Sequence, residues 1–393
     1  MKILTFSTLY PNGQFPSHGV FVESRLRHLL ANFNEVSTQV VAPVPWFPFS
    51  DHRFGRYGKL AQVAHSEVRH GIQVLHPRYM QLPKIGMNLA PRFLATASLP
   101  VLKNLIASGF DFDLIDAHYY YPDGVAATAL GKYLGKPVVI TARGSDIHLI
   151  AQYSKPRQMI LQSARDAAAS ITVCEALKSE MTRLGAEPTK IFPLRNGVDL
   201  HLFQPIDRDK VRAQLGWTAK TLLSVGRLTE NKGHHLIIKA MRGLPDFRLV
   251  IIGNGEDEDN LRRLVGATRV HGRVDFVPGI KQTELSKYYG AADALVLASA
   301  REGWANVLLE AMACGTPVVA TSIWGTPEVV KSRDAGVLIA TRSADAIAAG
   351  VKTLFADYPD RGATRRYAEG FNWRETSAGQ FALFRSVLAG KVA

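Results

Sequence analysis

Residues 301–319 read REGWANVLLEAMACGTPVV, and the rest of the chain is best understood outward from them. Apolar Leu295 to Ala298 reads as a buried strand, so Glu302 lies just past a strand's carboxyl end. Ala305 to Ala313 consists of good helix formers, with Gly315 to close the helix and Pro317 to block its continuation. Val318 to Ala320 begins the next strand. A strand, a short loop and a helix opening present backbone N–H groups and the positive end of a helix dipole, where an anion can dock. Glu310 is expected two turns inside the helix, roughly 12 Å along the axis from Glu302. Carboxylates that far apart cannot grip one small ion. They suit the two ends of an extended ligand, and a sugar nucleotide has that form.

At 393 residues the chain is too long for one average domain. Hydrophobic residues make up 47% of it, ample for two full cores. The formal net charge of +13 points to nucleic acid, anionic lipid or phosphorylated substrates. Zinc spacing, aromatic-rich nucleic-acid signatures and Lys/Arg tails are missing from the pattern, so nucleic acid is set aside as a partner. Cys174 and Cys314 are the only cysteines, which excludes a disulfide framework and fits a reducing compartment. The opening MKILTFSTLY lacks the pattern of a signal peptide, and no run approaches the 18–20 or so apolar residues of a membrane span. The expected location is the cytoplasm, peripheral at most on the inner face of the plasma membrane.

Strands and helices alternate on both sides of the opening stretch. Lys2 to Ser7 reads as a strand feeding a Pro/Asn/Gly/Ser loop (Tyr10 to Gly19) and then a helix from Val20. In that helix Phe21, Leu26, Leu29 and Leu30 form the apolar set and Arg25 counts as polar. Gln39 to Ala42, Asp113 to Ala117, Val138 to Thr141 and Ser170 to Cys174 read as further strands. The third of these five ends at His118 and the fourth at Arg143-Gly144-Ser145-Asp146, where open parallel sheets bind ligands. A link over Ile191 to Pro205 precedes a restart of the pattern: strands at Thr221 to Val225, Arg248 to Ile252, Val274 to Val277 and Ala294 to Ala298. Helices close the chain, including Trp373 to Leu388. The prediction is α/β, with two consecutive sheet domains.

Two segments stand apart. Pro43 to Lys59 mixes prolines, aromatics and basic residues, and Leu82 to Leu94 mixes aliphatics with Lys84 and Arg92. They read equally as a surface loop with an ordinary amphipathic helix, or as a basic, aromatic-studded face for anionic lipid or a lipid-linked acceptor.

The chemistry concentrates at strand ends. Gly226-Arg227 follows a strand, and Lys232 lies five residues on; two cations around a glycine suit a diphosphate, although Arg227 paired with Glu230 on the surface explains the same residues. Gly253-Asn254-Gly255 begins like a dinucleotide fingerprint, but Glu258 stands where Gly or Ala is required, which counts against a nicotinamide oxidoreductase. The carboxylates from Glu256 to Asp259 read as a solvated helix start rather than a metal site.

Together these motifs resemble the retaining family-four glycosyltransferases. The resemblance rests on Ser224 to Leu228 with Lys232, Gly253 to Glu256, Asn196-Gly197-Val198-Asp199 with Phe203 and Pro205, and Glu302 to Gly315. Thr141 to Asp146 (TARGSD) adds a likeness to members that build cell-surface polysaccharides such as teichuronic acid. It implies a GT-B-like fold: two Rossmann-like domains facing across a cleft, with a C-terminal helix crossing back to the first. The domains would be residues 1–195 for the acceptor, 196–370 for the nucleotide sugar, and 371–393 for the returning helix. Arg227 and Lys232 would hold the donor diphosphate, Glu310 the ribose hydroxyls and Glu302 the sugar. Gly226, Gly253 and the backbone of Gly303, Trp304, Ala305 and Asn306 would line the donor site, and the loop through Gly13 and Gly19 would close over it. The implied activity is a retaining, hexosyltransferase-type reaction from a nucleotide sugar, UDP favoured over GDP, to a glycan or lipid-linked glycan in polysaccharide biosynthesis.

No cofactor is implied, because two cations and a helix N-terminus can neutralise the leaving diphosphate without a metal. The Asp-x-Asp at Asp111-Phe112-Asp113 precedes its strand instead of standing at a strand end. Arg143 departs from the family, where many members have His. An arginine does not shuttle protons near neutral pH, so it would bind an anionic group, stabilise charge in the transition state, or simply pair with Asp146. His118 is a second cleft candidate or a satisfied buried histidine. An epimerase or hydrolase of the same fold, and a non-catalytic sugar-nucleotide binder, remain the competing classes.

Overall fold

The computed structural model describes residues 1–81 and 86–391, which form two units. The first comprises Met1–Arg195 and Arg374–Ala393, and the second Asn196–Trp373.

In the first unit the chain lays down β1 (Lys2–Phe6), β2 (Ser37–Val41), β3 (Val44–Pro45), β4 (Ser66–Arg69), β5 (Ile72–Leu75), β6 (Arg78–Tyr79), β7 (Leu114–His118), β8 (Val138–Ala142), β9 (Ala169–Thr172) and β10 (Ile191–Pro193). Eight strands make one sheet in the order β10-β9-β8-β7-β1-β2-β5-β4, while β3 pairs with β6 alone. All neighbours run parallel except β4 and β5. That hairpin was not predicted. Its turn is His70-Gly71, both at positive φ (49° and 79°), the backbone of a primed two-residue turn, but with His in place of the usual Asn or Asp.

Central strands such as β7 and β8 are buried along their whole length, as expected of a parallel sheet covered on both faces. The C-terminal helix, Trp373–Leu388, belongs here because Leu383, Phe384 and Val387 complete a core with Ile3, Leu29, Leu114, Val139 and Ile171. Phe381 adds a stack on Phe33, ring centroids 4.1 Å apart.

One expectation needs correction. In the helix Val20–Asn32 the buried face is Val22, Glu23, Arg25, Leu26 and Leu29, so Arg25 points inward rather than to solvent. The expected segment from Leu82 starts outside the described residues, Lys84 with it; beyond, a helix runs Ala90–Ala107.

The second unit contains β11 (Lys220–Val225), β12 (Phe247–Ile252), β13 (Val274–Val277), β14 (Ala294–Leu297), β15 (Val318–Thr321) and β16 (Gly336–Ile339). The order β13-β12-β11-β14-β15-β16 is all parallel, the doubly wound 3-2-1-4-5-6 arrangement. Its switch point lies between β11 and β14, and that of the first unit between β1 and β7. Crossovers leave these adjacent strands in opposite directions, which opens a crevice at their carboxyl ends. Among the described residues no helix is long and apolar enough to cross a membrane.

Candidate active site

The opening stretch sits at the switch point of the second unit. Its helix spans Asn306–Ala313, one residue shorter than expected, and Glu302 lies in the preceding loop. Glu310 is therefore just over one turn in, about 6 Å along the axis from Asn306, rather than two turns in.

Glu302 Oε1 accepts from Lys232 Nζ at 2.5 Å and from Ser299 Oγ at 2.7 Å. The loop after β11 and the loop after β14 are thus joined through opposite charges. Backbone bonds reinforce the junction: Ala300 N–H donates to Asn231 O (2.8 Å), and Asn231 Nδ2 donates to Arg301 O (3.3 Å). Arg342, which no motif had marked, donates to Ala298 O at 2.8 Å and to Glu230 O at 2.9 Å. Behind them His234 is buried against Ser224 Oγ, 3.0 Å from Nδ1, and burial pushes its pKa down to about 4, so it is neutral at pH 7.

Arg227 is exposed, and its partner is Glu256 at 3.0 Å rather than Glu230. The pair is solvated and easily exchanged. Glu258 pairs with Arg262 one turn on, as a solvated helix start should. Gly226 and Gly253 both have φ of 155°, and a Cβ on Gly253 would lie 1.9 Å from Gly226 O. Gly255 is held as tightly against Leu228 O, at 2.1 Å. These glycines let the turns after β11 and β12 touch backbone to backbone; the Gly-x-Gly is a packing device here.

Glu310 is buried and accepts from Tyr289 OH at 2.8 Å on one oxygen and Gln282 Nε2 at 3.2 Å on the other. Burial raises its pKa, and the two hydrogen bonds oppose that rise. Each oxygen keeps one further acceptor position. Between the two glutamates Trp304 is buried, its Nε1 without a partner among the described residues. Asn306 Oδ1 accepts from Asn196 Nδ2 at 3.3 Å.

A second cluster forms at the switch point of the first unit. Arg143 NH2 donates to His118 Nδ1 at 2.7 Å, and His118 Nε2 lies 3.2 Å from Asp116 Oδ2. Since Nδ1 accepts, the proton sits on Nε2 and is given to Asp116. Burial lowers the His118 pKa to about 4, Arg143 adds to the fall, and Asp116 opposes it; the ring is neutral at pH 7. Asp116 Oδ2 also accepts from Gln380 Nε2 (3.1 Å) on the C-terminal helix, and Gln380 Oε1 accepts from Arg25 Nε (2.8 Å). A relay Arg25–Gln380–Asp116–His118–Arg143 results, with three members that sequence reasoning did not single out. Burial pulls Arg143 down to about 9 and Arg25 to about 10, values that leave both cationic at neutral pH.

Asp146 accepts from the backbone N–H of Tyr120 (2.8 Å), Arg143 (3.1 Å) and Gly144 (2.7 Å), so its carboxylate holds the turn that presents Arg143. Tyr119, next to His118, has φ of 83°, a strained value for a bulky side chain at a strand end. The loop after β1 contributes Thr8, whose N–H and Oγ donate to Asp123 at 3.1 and 2.9 Å. Burial raises the Asp123 pKa to about 8. Gly19, φ 70°, begins the helix at Val20, and a Cβ there would lie 2.2 Å from Leu9 O; Gly13 sits exposed in the Asn12–Phe15 turn. Asp113 caps Lys2 N–H at 2.7 Å and Asp111 pairs with Lys136 at 2.6 Å, away from any strand's carboxyl end.

Two Rossmann-like units, the second with cations and carboxylates at its switch point, define a GT-B glycosyltransferase. The profile "Glycosyltransferase Family 4" matches residues 58–202, and "Glycosyl transferases group 1" matches 207–371. D-inositol 3-phosphate glycosyltransferase 1 of Catenulispora acidiphila is 30% identical over 352 residues, 82% of this chain and 83% of that protein. TuaC of Bacillus subtilis, named as a teichuronic acid biosynthesis glycosyltransferase, is 28% identical over 89% of this chain and 88% of its own. The chain belongs to the family-four glycosyltransferases. Among solved structures, sucrose-phosphate synthase from Thermosynechococcus elongatus superposes with a TM-score of 0.80 at 20% identity, over 99% of this chain and 100% of that one. HepE of Anabaena in complex with UDP gives 0.75 at 22%, over 98% and 100%, and a complex of HepE with UDP-glucose matches as well.

Proposed function

We propose that the chain transfers a sugar from a UDP-sugar, with retention and without a metal, to a glycan or lipid-linked acceptor in cell-surface polysaccharide synthesis. The observation that carries this reading is two exchangeable ion pairs on the loops at the second unit's switch point, Arg227 with Glu256 and Lys232 with Glu302. An incoming diphosphate replaces Glu256 on Arg227 and competes with Glu302 for Lys232. As the glycosidic bond breaks, charge builds on the diphosphate oxygens, and both cations stabilise it more than they do the ground state. Glu302, released in part, accepts hydrogen bonds from the sugar's hydroxyls. The two remaining acceptor positions on Glu310 suit the adjacent hydroxyls of a ribose. Trp304's unpaired indole N–H would gain from an acceptor atom of the donor.

The UDP and UDP-glucose complexes of HepE favour uridine, and the name of TuaC favours a surface polysaccharide. Retention rests on the family resemblance, and the acceptor side is assigned to the first unit, where Arg143 supplies a fixed cation for an anionic acceptor or transition state.

The test is a thermal-shift screen of nucleotide sugars, followed by turnover of the best donor with and without acceptor, in excess chelator. Acceptor-dependent turnover that survives the chelator, and collapses in Arg227→Ala, is expected. Stoichiometric donor breakdown without acceptor identifies a hydrolase or epimerase instead, and rescue by Mn²⁺ or Mg²⁺ after chelation refutes the metal-free mechanism.

A further inference from the structure

A cavity of about 320 Å³ opens in the first unit beside the ends of β1, β3 and β6. Its polar lining includes Thr8, Asn12, His18, Arg56, Tyr57 and Tyr79, and no carboxylate. Thr8's neighbour Asp123 is occupied by Thr8 itself. Arg56 is exposed and has no carboxylate partner among the described residues, whereas Arg53, three residues before it, is held by Asp51 at 3.1 Å. With the Arg56 guanidinium in its wall and no carboxylate there, the pocket favours an anionic ligand over a cationic one.

Tyr57 belongs both to the pocket wall and to a cluster of rings outside it. Phe47 contacts Phe49, Phe54 and Tyr57 at centroid distances of 6.0, 5.4 and 5.3 Å, and Phe49 stacks on Phe54 at 5.2 Å. Phe49 is 55% exposed, Tyr57 48% and Phe54 41%, with Trp46 beside them at 56%. The core beneath is small (Val44, Leu60 and Val63) and does not use these rings. Contiguous exposed aromatics rimmed by Arg53, Arg56 and Lys59 match a surface that is apolar below and anionic above.

We propose that the pocket and its ring shelf hold an anionic lipid, its phosphate-class headgroup against Arg56 and its apolar chain over Phe49 and Phe54. This deepens the reading of the chain as a transferase working on a lipid-linked acceptor, and it rests on that reading for its biological use. The binding itself is independent of the donor site.

The experiment is co-sedimentation with phosphatidylcholine vesicles and with phosphatidylcholine–phosphatidylglycerol vesicles at low and high salt. The wild-type chain is expected to pellet with the mixed vesicles and less so in salt. Phe49→Ser with Phe54→Ser, both exposed positions, should weaken vesicle binding about tenfold or more. Arg56→Gln should lower it clearly more than Arg53→Gln, which removes the same charge from the same face. Equal effects of the two arginine variants, or an unaffected ring variant, would mean adsorption by overall charge and overturn the proposal. Stabilisation by glycerol phosphate in solution, equal in wild type and ring variant and without vesicle binding, would identify a soluble anion instead and equally overturn it. Thermal stabilisation by UDP in the same preparations separates the readings. Vesicle failure with UDP stabilisation intact removes the lipid site alone, and vesicle binding without UDP stabilisation removes the donor reading alone.

Discussion

Replacing Glu302 by Gln should tighten the binding of UDP while depressing sugar transfer. The carboxylate lies 2.5 Å from the Lys232 ammonium that the diphosphate must use. A phosphate oxygen on the far side of that ammonium, at about 2.8 Å, stands roughly 5 Å from Glu302 Oε1. Two unit charges at that separation repel by ~1–3 kcal/mol for effective dielectrics between about 80 and 20. Both side chains are partly open to solvent, so the lower half of that range applies, ~1–2 kcal/mol. That is about 5- to 30-fold in UDP affinity. Gln keeps a carbonyl for Ser299 and removes only the charge. Titration calorimetry with UDP, at fixed ionic strength, measures the change directly. Lys232→Gln should weaken UDP about tenfold or more, since it removes the cation that the diphosphate uses. A Glu302→Gln enzyme that binds UDP no tighter than wild type would refute the exchange of partners at Lys232.

The remaining expectations concern the buried groups. Gln380→Leu strands the Arg25 and Asp116 groups it now satisfies and should cost ~1–3 kcal/mol in urea unfolding; a loss under about 0.5 kcal/mol would deny the relay. His118 and His234 both have folded pKa values of about 4, below the free value of 6.5. The unfolded chain therefore takes up protons first as pH falls. Their contribution is fully present above about pH 6.5 and lost as pH drops toward 4, ~2 kcal/mol each by pH 5. Denaturant midpoints at pH 7.5 and 5 should show this, with a shallower slope in His234→Gln. Gly253→Ala should destabilise by ~3 kcal/mol or prevent folding, because its Cβ would lie 1.9 Å from Gly226 O. Gly135→Ala, at φ 66° with nothing within 4 Å, should cost only about 1 kcal/mol in the same assay.

Much of the fold was legible because parallel strands buried on both faces write themselves as short apolar runs. β13 was predicted with its observed bounds, and the C-terminal helix likewise. The hairpin of β4 and β5 was not legible, since three of its four residues Ser66–Arg69 are polar and its turn uses His70. At the second unit's switch point, Lys232 and Glu302 meet as their positions after β11 and β14 imply, while Arg227 pairs with Glu256. The position of Glu310 was overestimated because the loop up to Ala305 was counted as helix. In the first unit, charge was read as exposure. Arg25 occupies the i+3 place after Val22 and the i−4 place before Leu29, on the buried stripe, and Asp116 stands inside an apolar strand. Both were signals of a buried polar relay. Gln380 gave none, since its partner lies 264 residues away.

The two switch points use charge in opposite ways. Arg227 and Glu256 are 63% and 67% exposed in their side chains, a pairing that costs at most about 1 kcal/mol to break. Cations held so loosely can pass to a ligand and back in each cycle. Arg143 instead donates to a neutral His118 whose proton faces Asp116, on a turn clamped by Asp146. Breaking such a buried array leaves uncompensated groups and costs several kcal/mol, so its geometry is set before any ligand arrives. This bears on Arg143. With Arg143 in place, His118 Nδ1 has a donor and the ring is fixed as the Nε2–H tautomer. A histidine at position 143 would be too short to keep the same bond without moving the turn, and His118 would lose its donor. Arg143 and His118 are therefore a matched pair, and Arg143→His alone should lose stability without gaining a proton shuttle.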